Sequence, residues 1–190
     1  MITIVSGLPR SGTSLMMQML AAGGLPVLTD GRRAADTDNP RGYYEWERIK
    51  SLPQEPECVA EAEGRAVKVI SQLLFALPSD RDYCIIFIER PLVEVVASQG
   101  EMIRRRGTTG AALGETALIV ALQAHLNQVT AWLDRQPNVR RIDYHRVLRQ
   151  PREAAETIQQ FLGLPLDTEA MAQQVDLSLY RQRSPQLPIA

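Results

Sequence analysis

Short apolar runs alternate along the chain with longer segments in which apolar residues recur at helical spacing. The runs are rich in β-branched residues and are predicted to be buried strands. They cover residues 2–5, 26–29, 66–70, 83–89 and 139–142. The run at 83–89 is the most continuous, and we expect it near the centre of a sheet.

Helical spacing predicts four main helices, and glycine or proline marks several of their ends. These helices cover residues 13–22, 92–105, about 112–135, and a segment that Pro151 opens and Gly163 closes. Shorter helical segments are predicted at 43–52 and 71–78. Because strands and helices alternate, we expect a parallel sheet covered on both faces, with ligands at the carboxyl ends of its strands.

Composition limits the classes of partner. The 190 residues carry a net charge of −1 with 23% charged residues. A general affinity for nucleic acid is therefore not expected, and any bound anion needs locally placed basic groups. Cys58 and Cys84 are predicted to be reduced thiols, which favours the cytoplasm. No apolar run approaches the ~18 residues of a membrane span, and no signal peptide is predicted.

The stretch GLPRSGTS, from Gly7 to Ser14, joins the first predicted strand to the first helix. This frame is typical of a phosphate-binding loop and favours a P-loop NTPase-like fold. Backbone amides, the helix N-terminus, the hydroxyls and Arg10 are all suited to holding an anion. The alternative interpretation of this stretch is a glycine turn that binds no ligand.

The loop lacks the lysine that an NTPase places after its second glycine, where this chain has Thr13. Asp143 is the only candidate for a magnesium-binding aspartate at a strand end. We therefore expect no metal, and a grip on phosphate-like groups through amides, hydroxyls and a guanidinium.

GLPRSGTS resembles the 5′-phosphosulfate loop of sulfotransferases that use 3′-phosphoadenosine 5′-phosphosulfate (PAPS). In that family an arginine at a strand end and a serine eight residues later bind the 3′-phosphate. IIFIERPLVEVVASQ places Arg90 and Ser98 at this spacing. AVKVI resembles the strand that carries a lysine near the sulfuryl group, which implies Lys68. RIDYHRVLRQPREAAETIQQFLGLPL is similar to the family's closing segment, so the resemblance covers about residues 2–166.

The chain departs from the cytosolic members of the family in two ways. No histidine follows Lys68, and Leu15 stands where an aromatic residue often follows the loop. DNPRGYYEWERIK is similar to an element of bacterial relatives, so Glu45 is the predicted base and Glu47 the runner-up. Asp38 and His145 are further alternatives for the base. A structural role is the simpler interpretation of His145, and likewise of His125.

The resemblance implies one sulfotransferase-like domain over residues 1–190, a single three-layer α/β unit with about five strands. A variable acceptor-side segment is expected near 30–64 and an irregular tail at 176–190. The implied reaction moves a sulfuryl group from PAPS to a hydroxyl or amine of a small-molecule, carbohydrate or peptide acceptor, leaving adenosine 3′,5′-bisphosphate (PAP). A P-loop kinase and a non-catalytic nucleotide-binding protein are the alternatives.

Site residues follow from the same resemblance. Arg10, Lys68 and Glu45 are the predicted catalytic groups. The predicted donor-binding residues are Pro9, Arg10, Ser11, Gly12, Thr13, Ser14, Arg90 and Ser98. Arg181 and Arg183 in the tail are candidates to close over the 3′-phosphate, or else simply solvated cations.

Overall fold

Five parallel strands form the central sheet of the computed structural model, which describes residues 1–105 and 114–181. The strands are β1 (Ile2–Gly7), β2 (Val27–Leu28), β3 (Ala66–Lys68), β4 (Tyr83–Glu89) and β5 (Val139–Asp143). Their order in the sheet is β2-β3-β1-β4-β5. Because all neighbours pair in parallel, the ends of β1, β3, β4 and β5 meet at one edge.

Six α-helices accompany the sheet within the described residues. They are α1 (Thr13–Ala22), α2 (Leu92–Arg105), α3 (Glu115–Leu133), α4 (Tyr144–Arg149), α5 (Pro151–Leu162) and α6 (Thr168–Ala172). Short 3-10 helices lie at Glu47–Ser51, Pro56–Ala62, Ser71–Ala76 and Leu177–Leu179.

Two apolar cores lie on opposite faces of the sheet. One contains the methionines of α1 together with Ile158 and Leu162 of α5. The other contains Leu133 of α3 and residues of the 3-10 helices such as Leu52. The predicted α/β fold with a parallel sheet of about five strands and helices on both sides is thereby confirmed.

Most predicted elements lie where the pattern placed them. The bounds of α1, β4 and α2 agree with the prediction, β1 is two residues longer, and β3 ends at Lys68 instead of residue 70. The predicted start of the long helix near Ala112 lies outside the described residues. The pattern missed α4 and α6, which are too short to show helical spacing; Asp143 and Asp167 cap their N-termini.

The helix predicted over 43–52 is wrong in its first half. Gly42 and Tyr44 have φ values of 90° and 53°, which a helix does not allow. The carbonyl of Glu45 accepts hydrogen bonds from the amide of Asp30 and the hydroxyl of Thr29. Residues 43–46 are therefore held against 29–30, and only Glu47–Ser51 forms a 3-10 helix.

Both cysteines are free and buried. No helix within the described parts of the chain combines the length and apolar character that crossing a membrane requires.

Candidate functional site

The loop between β1 and α1 brings its backbone close to α4. Gly12 caps α1 with φ 111° and ψ 10°, and a Cβ atom at this position would lie 2.5 Å from Cδ2 of Tyr144. Both the left-handed conformation and the close approach require glycine. The first-turn amides of α1 have no carbonyl one turn earlier, so they are available to an anion at this end of the helix.

Arg10 extends from this loop toward α2. Its Nε donates a hydrogen bond to the hydroxyl of Ser98 at 3.0 Å, and one NH2 group donates to the carbonyl of Asp38 at 3.2 Å. Burial lowers the pKa of Arg10. The residue itself has a φ of 75°, a conformation that non-glycine residues rarely adopt and that clusters at functional sites.

Arg90 lies directly after β4, at the edge where the strands end. Its NH1 group donates to the carbonyl of Arg10 at 3.0 Å, and its Nε donates to Glu94 at 2.9 Å. Its guanidinium carbon lies 4.6 Å from the ring centroid of Tyr144. The structure thus brings together Arg10, Arg90 and Ser98, which are distant in the sequence.

Lys68 occupies the other side of the loop, at the end of β3. Its side chain is only 7% exposed, and its Nζ donates to the carbonyl of Tyr43 at 2.5 Å and to the hydroxyl of Ser14 at 3.1 Å. Burial lowers its pKa to about 8, although the carboxylate of Glu45, 3.6 Å away, opposes this shift. Lys68 therefore remains mostly protonated at pH 7, in a setting that disfavours its charge.

Glu45 is held by a second cation that sequence reasoning missed. Arg33 donates to Oε1 of Glu45 at 2.7 Å, and its guanidinium carbon lies 3.4 Å above the ring of Tyr43. The hydroxyl of Tyr43 donates to the carboxylate of Asp36. The only sequence signal for Arg33 was its place among the polar residues before the YYEWE element.

The remaining candidate bases have other partners. Glu47 pairs with Lys50 in its own 3-10 helix and does not line the cleft. The carboxylate of Asp38 pairs with Arg105 at 2.7 Å. His145 is buried against Glu94, and His125 contacts Ser71, at 2.9 Å from its hydroxyl.

A cleft of about 210 Å³ is lined both by Arg10, Arg90 and Ser98 and by Lys68, Glu45 and Arg33. Among the residues that line it are the predicted Pro9, Arg10, Gly12, Thr13, Ser14, Glu45, Lys68, Arg90 and Ser98. Ser11 is the exception, because its buried side chain lines a second pocket instead. Arg181 also lines the cleft and donates to the carbonyl of Thr37, while Arg183 lies outside the described residues.

The cleft has an excess of positive charge on a chain that is nearly neutral. Six cations line it, namely Arg10, Arg33, Lys68, Arg90, Arg105 and Arg181, against the four carboxylates of Asp38, Glu45, Glu101 and Asp176. The described residues contain no group of three or more metal-ligating side chains, and Asp143 is occupied in capping α4 through the amide of Arg146. The arrangement is suited to binding a polyanion through amides, hydroxyls and cations.

Comparison with known proteins gives a fold but no close relative. No protein-family model matches the sequence, and no curated protein sequence matches it. A sulfotransferase from Mycobacterium tuberculosis is similar in structure, with a TM-score of 0.61 and 16% identity over 94% of this chain and 73% of that one.

Two further solved structures resemble the chain. The sulfotransferase domain of the Synechococcus olefin synthase has a TM-score of 0.55 and 18% identity over 90% of this chain and 75% of that one. A retinol dehydratase, solved in complex with androsterone and inactive cofactor PAP, has a TM-score of 0.53 and 17% identity over 90% of this chain and 62% of that one. The chain therefore has the fold of sulfotransferases.

Proposed function

We propose that the chain is a sulfotransferase that takes a sulfuryl group from PAPS and transfers it to a hydroxyl or amine acceptor. The observation that carries the proposal is the meeting of Arg10, Arg90 and Ser98 beside the loop that begins α1. A resemblance in short motifs does not require these three residues to touch. Their convergence on one cleft is what a site for a nucleotide with two separate anionic groups needs.

The donor fits the groups that are present. In this assignment the amides of Gly12 to Ser14 and the hydroxyls of Thr13 and Ser14 hold the 5′-phosphosulfate, at the positive end of the α1 dipole. Arg90 and Ser98 hold the 3′-phosphate. Arg10 lies between them, since its guanidinium contacts Ser98 while its backbone belongs to the loop.

Lys68 is assigned to charge stabilisation. PAPS supplies a sulfur–oxygen bond whose electron pair passes to the bridging oxygen of the departing PAP as the acceptor oxygen or nitrogen binds sulfur. An ammonium held beside Ser14 by a backbone carbonyl is fixed in place before the reaction, and preorganised charge of this kind is the largest common source of catalysis.

Glu45 is assigned to the acceptor's proton. Its Oε1 lies 3.6 Å from Lys68 Nζ and 2.7 Å from Arg33, so the carboxylate is held at the cleft beside the predicted transfer point. The adjacent loop residues 29–46 supply most of the surroundings on this side. We assign the acceptor pocket to this segment, which overlaps the variable acceptor-side region predicted near 30–64.

A transfer assay with sulfur-labelled donor tests the proposal. The full chain, in the presence of EDTA, is incubated with PAPS and a panel of phenol, alcohol, amine, carbohydrate and peptide acceptors. We expect label to pass to at least one acceptor class without added metal. Tight donor binding with no transfer to any class would favour a non-catalytic nucleotide-binding protein, and magnesium-dependent turnover of ATP would favour a kinase.

A further inference from the structure

A buried polar cluster lies behind Arg90, among residues that do not line the cleft. It consists of Glu94 on α2, His145 on α4 and Tyr180 near the C-terminal end of the described chain. The side chains of Glu94 and His145 are 1% and 4% exposed, and Tyr180 is 2% exposed. A buried carboxylate is costly to retain unless its partners compensate for its lost hydration.

Hydrogen bonds link the three side chains to one another and to Arg90. Oε2 of Glu94 accepts from Nε of Arg90 at 2.9 Å, and Oε1 accepts from the hydroxyl of Tyr180 at 2.7 Å. Nε2 of His145 lies 3.0 and 3.1 Å from the two carboxylate oxygens and 3.0 Å from the Tyr180 hydroxyl. The carboxylate of Glu94 therefore connects the side chains of Tyr180 and His145 to the guanidinium of Arg90 through hydrogen bonds.

Two rings also constrain Arg90. Its guanidinium carbon lies 4.6 Å from the centroid of Tyr144 and 5.6 Å from that of Tyr180. Planar guanidinium groups recognise phosphate by direction as well as by charge, so the orientation of this group determines what it can bind. The contacts to Glu94, to the two rings and to the carbonyl of Arg10 together set that orientation.

A role in stability alone does not account for this cluster. Replacing a buried ion pair by apolar residues is often neutral or stabilising, so burial of Glu94 beside Arg90 is weak support for a purely structural purpose. The cluster also draws on the C-terminal segment, which is attached to the other side of the cleft where Arg181 donates to the carbonyl of Thr37.

We propose that Glu94, supported by Tyr180 and His145, is a positioning residue that orients Arg90 for the 3′-phosphate of the donor nucleotide. The proposal rests on the proposed function. Under this proposal the C-terminal segment contributes to the donor site through Tyr180, although Tyr180 does not line the cleft. The property at stake is discrimination between nucleotides with and without a 3′-phosphate.

The test is the ratio of two dissociation constants measured by calorimetry on the full chain, for adenosine 5′-monophosphate and for PAP. A general loss of folded protein affects both ligands alike and leaves this ratio unchanged. Because hydrogen bonds to charged groups are strong, we expect Glu94→Ala to lower the ratio at least about tenfold. Tyr180→Phe, which preserves the ring, should lower it about threefold to tenfold.

Glu94→Gln separates orientation from charge. The amide oxygen can still accept from Arg90 Nε, while the NH2 group takes the place of Oε1 and donates to the oxygen of the Tyr180 hydroxyl, so we expect this variant to keep most of the wild-type ratio. Tyr83→Phe is the matched control, because it also removes a buried tyrosine hydroxyl, one that has no hydrogen-bond partner. Its ratio should equal that of the wild type.

The outcomes distinguish this inference from the function on which it rests. A wild-type ratio near one contradicts the proposed function itself. A high wild-type ratio that persists in both Glu94→Ala and Tyr180→Phe overturns the positioning role, as does a loss in Glu94→Gln equal to that in Glu94→Ala. If Glu94→Ala does not fold, Tyr180→Phe measured against Tyr83→Phe decides the question.

Discussion

The two ends of the cleft are built from different kinds of structure. At the proposed donor end, Arg90 and Ser98 come from the end of β4 and from α2, and their side chains are almost fully buried. At the proposed transfer end, Lys68 comes from β3, but its partners Glu45 and Tyr43 come from a segment without regular structure. The donor end is thus set by the sheet, and the transfer end by a loop that packs onto it.

The two ends also differ in how far their charged side chains are exposed to solvent. Arg90 and Glu94 have side-chain exposures of 7% and 1%, whereas Arg33 and Glu45 have 31% and 20%. Pairs that remain partly in water contribute little to stability and rearrange easily. Under the proposed function, the rigid end holds the common donor and the adjustable end fits the acceptor.

The largest effect should come from the transfer end. Glu45→Gln removes the proposed base while keeping the shape of the side chain, and we expect transfer to slow by about 10²–10⁴-fold. Donor affinity should be nearly unchanged, since Glu45 belongs to the other end of the cleft. Transfer kinetics with labelled PAPS and calorimetry with PAP measure the two quantities.

Glu47→Gln is the control for this variant. Glu47 pairs with Lys50 and does not line the cleft, so its loss should leave transfer close to that of the wild type. Equal behaviour of the two variants would make Glu45 structural and would leave Asp38, which lines the cleft, as the next candidate base.

The next largest effect is expected at Lys68, where one variant can be measured for both catalysis and stability. Lys68→Met should slow transfer by about 10²–10³-fold, the typical result of losing one preorganised charge donor. The same change should alter how the free energy of unfolding depends on pH, because only the wild type buries an ammonium group in the folded state. Urea unfolding and transfer kinetics on the same preparation measure both effects.

The contribution of Lys68 to the free energy of unfolding should depend on pH. The pKa of Lys68 is about 8 in the folded protein, below its ordinary 10.5, so the unfolded chain binds the extra proton between these values. The stability of the wild type should therefore rise relative to that of Lys68→Met by about 3 kcal/mol from pH 8 to pH 10.5. A constant difference over this range would contradict the buried ammonium.

At the donor end, Arg90→Ala should remove most of the preference for PAP over adenosine 5′-monophosphate. Losing a charge-assisted contact costs on the order of 1.5–3 kcal/mol, or roughly 10–150-fold in the ratio of dissociation constants. Calorimetry with both nucleotides measures it. An unchanged ratio would place the 3′-phosphate elsewhere in the cleft.

The smallest effect is expected at Arg33. Its pair with Glu45 is partly exposed, so Arg33→Gln should reduce transfer by no more than about fivefold and leave PAP affinity unchanged. Steady-state transfer rates with the same acceptor measure it. A loss as large as that of Glu45→Gln would mean that the transfer end is as rigid as the donor end.

The same contrast explains what the sequence could predict. Glycine spacing, a buried strand and the Arg90–Ser98 interval place groups at strand ends, where a parallel sheet brings them together. The sheet, α1 and the position of Arg90 at the carboxyl edge of the sheet were therefore predictable. The conformation of residues 29–46 depends on the left-handed turns at Gly42 and Tyr44 and on pairing with residues 29–30, which no periodic pattern encodes.

Long-range contacts were the other gap. Arg33 and Tyr180 reach the site only through tertiary packing, the first through Glu45 and the second through Glu94. The segment 43–52 has an apolar spacing that also fits a helix, so periodicity alone gave the wrong structure there. Tertiary hydrogen bonds to the Glu45 carbonyl outweighed that local preference.

The most direct test of the central claim is the affinity of the wild-type chain for PAP compared with adenosine 5′-monophosphate and ATP, measured by calorimetry in EDTA. The account predicts that PAP binds at least about tenfold more tightly than either of the others, because Arg10, Arg90 and Ser98 converge on one site for a second phosphate. Equal affinities, or binding that disappears in EDTA and returns with magnesium, would contradict it.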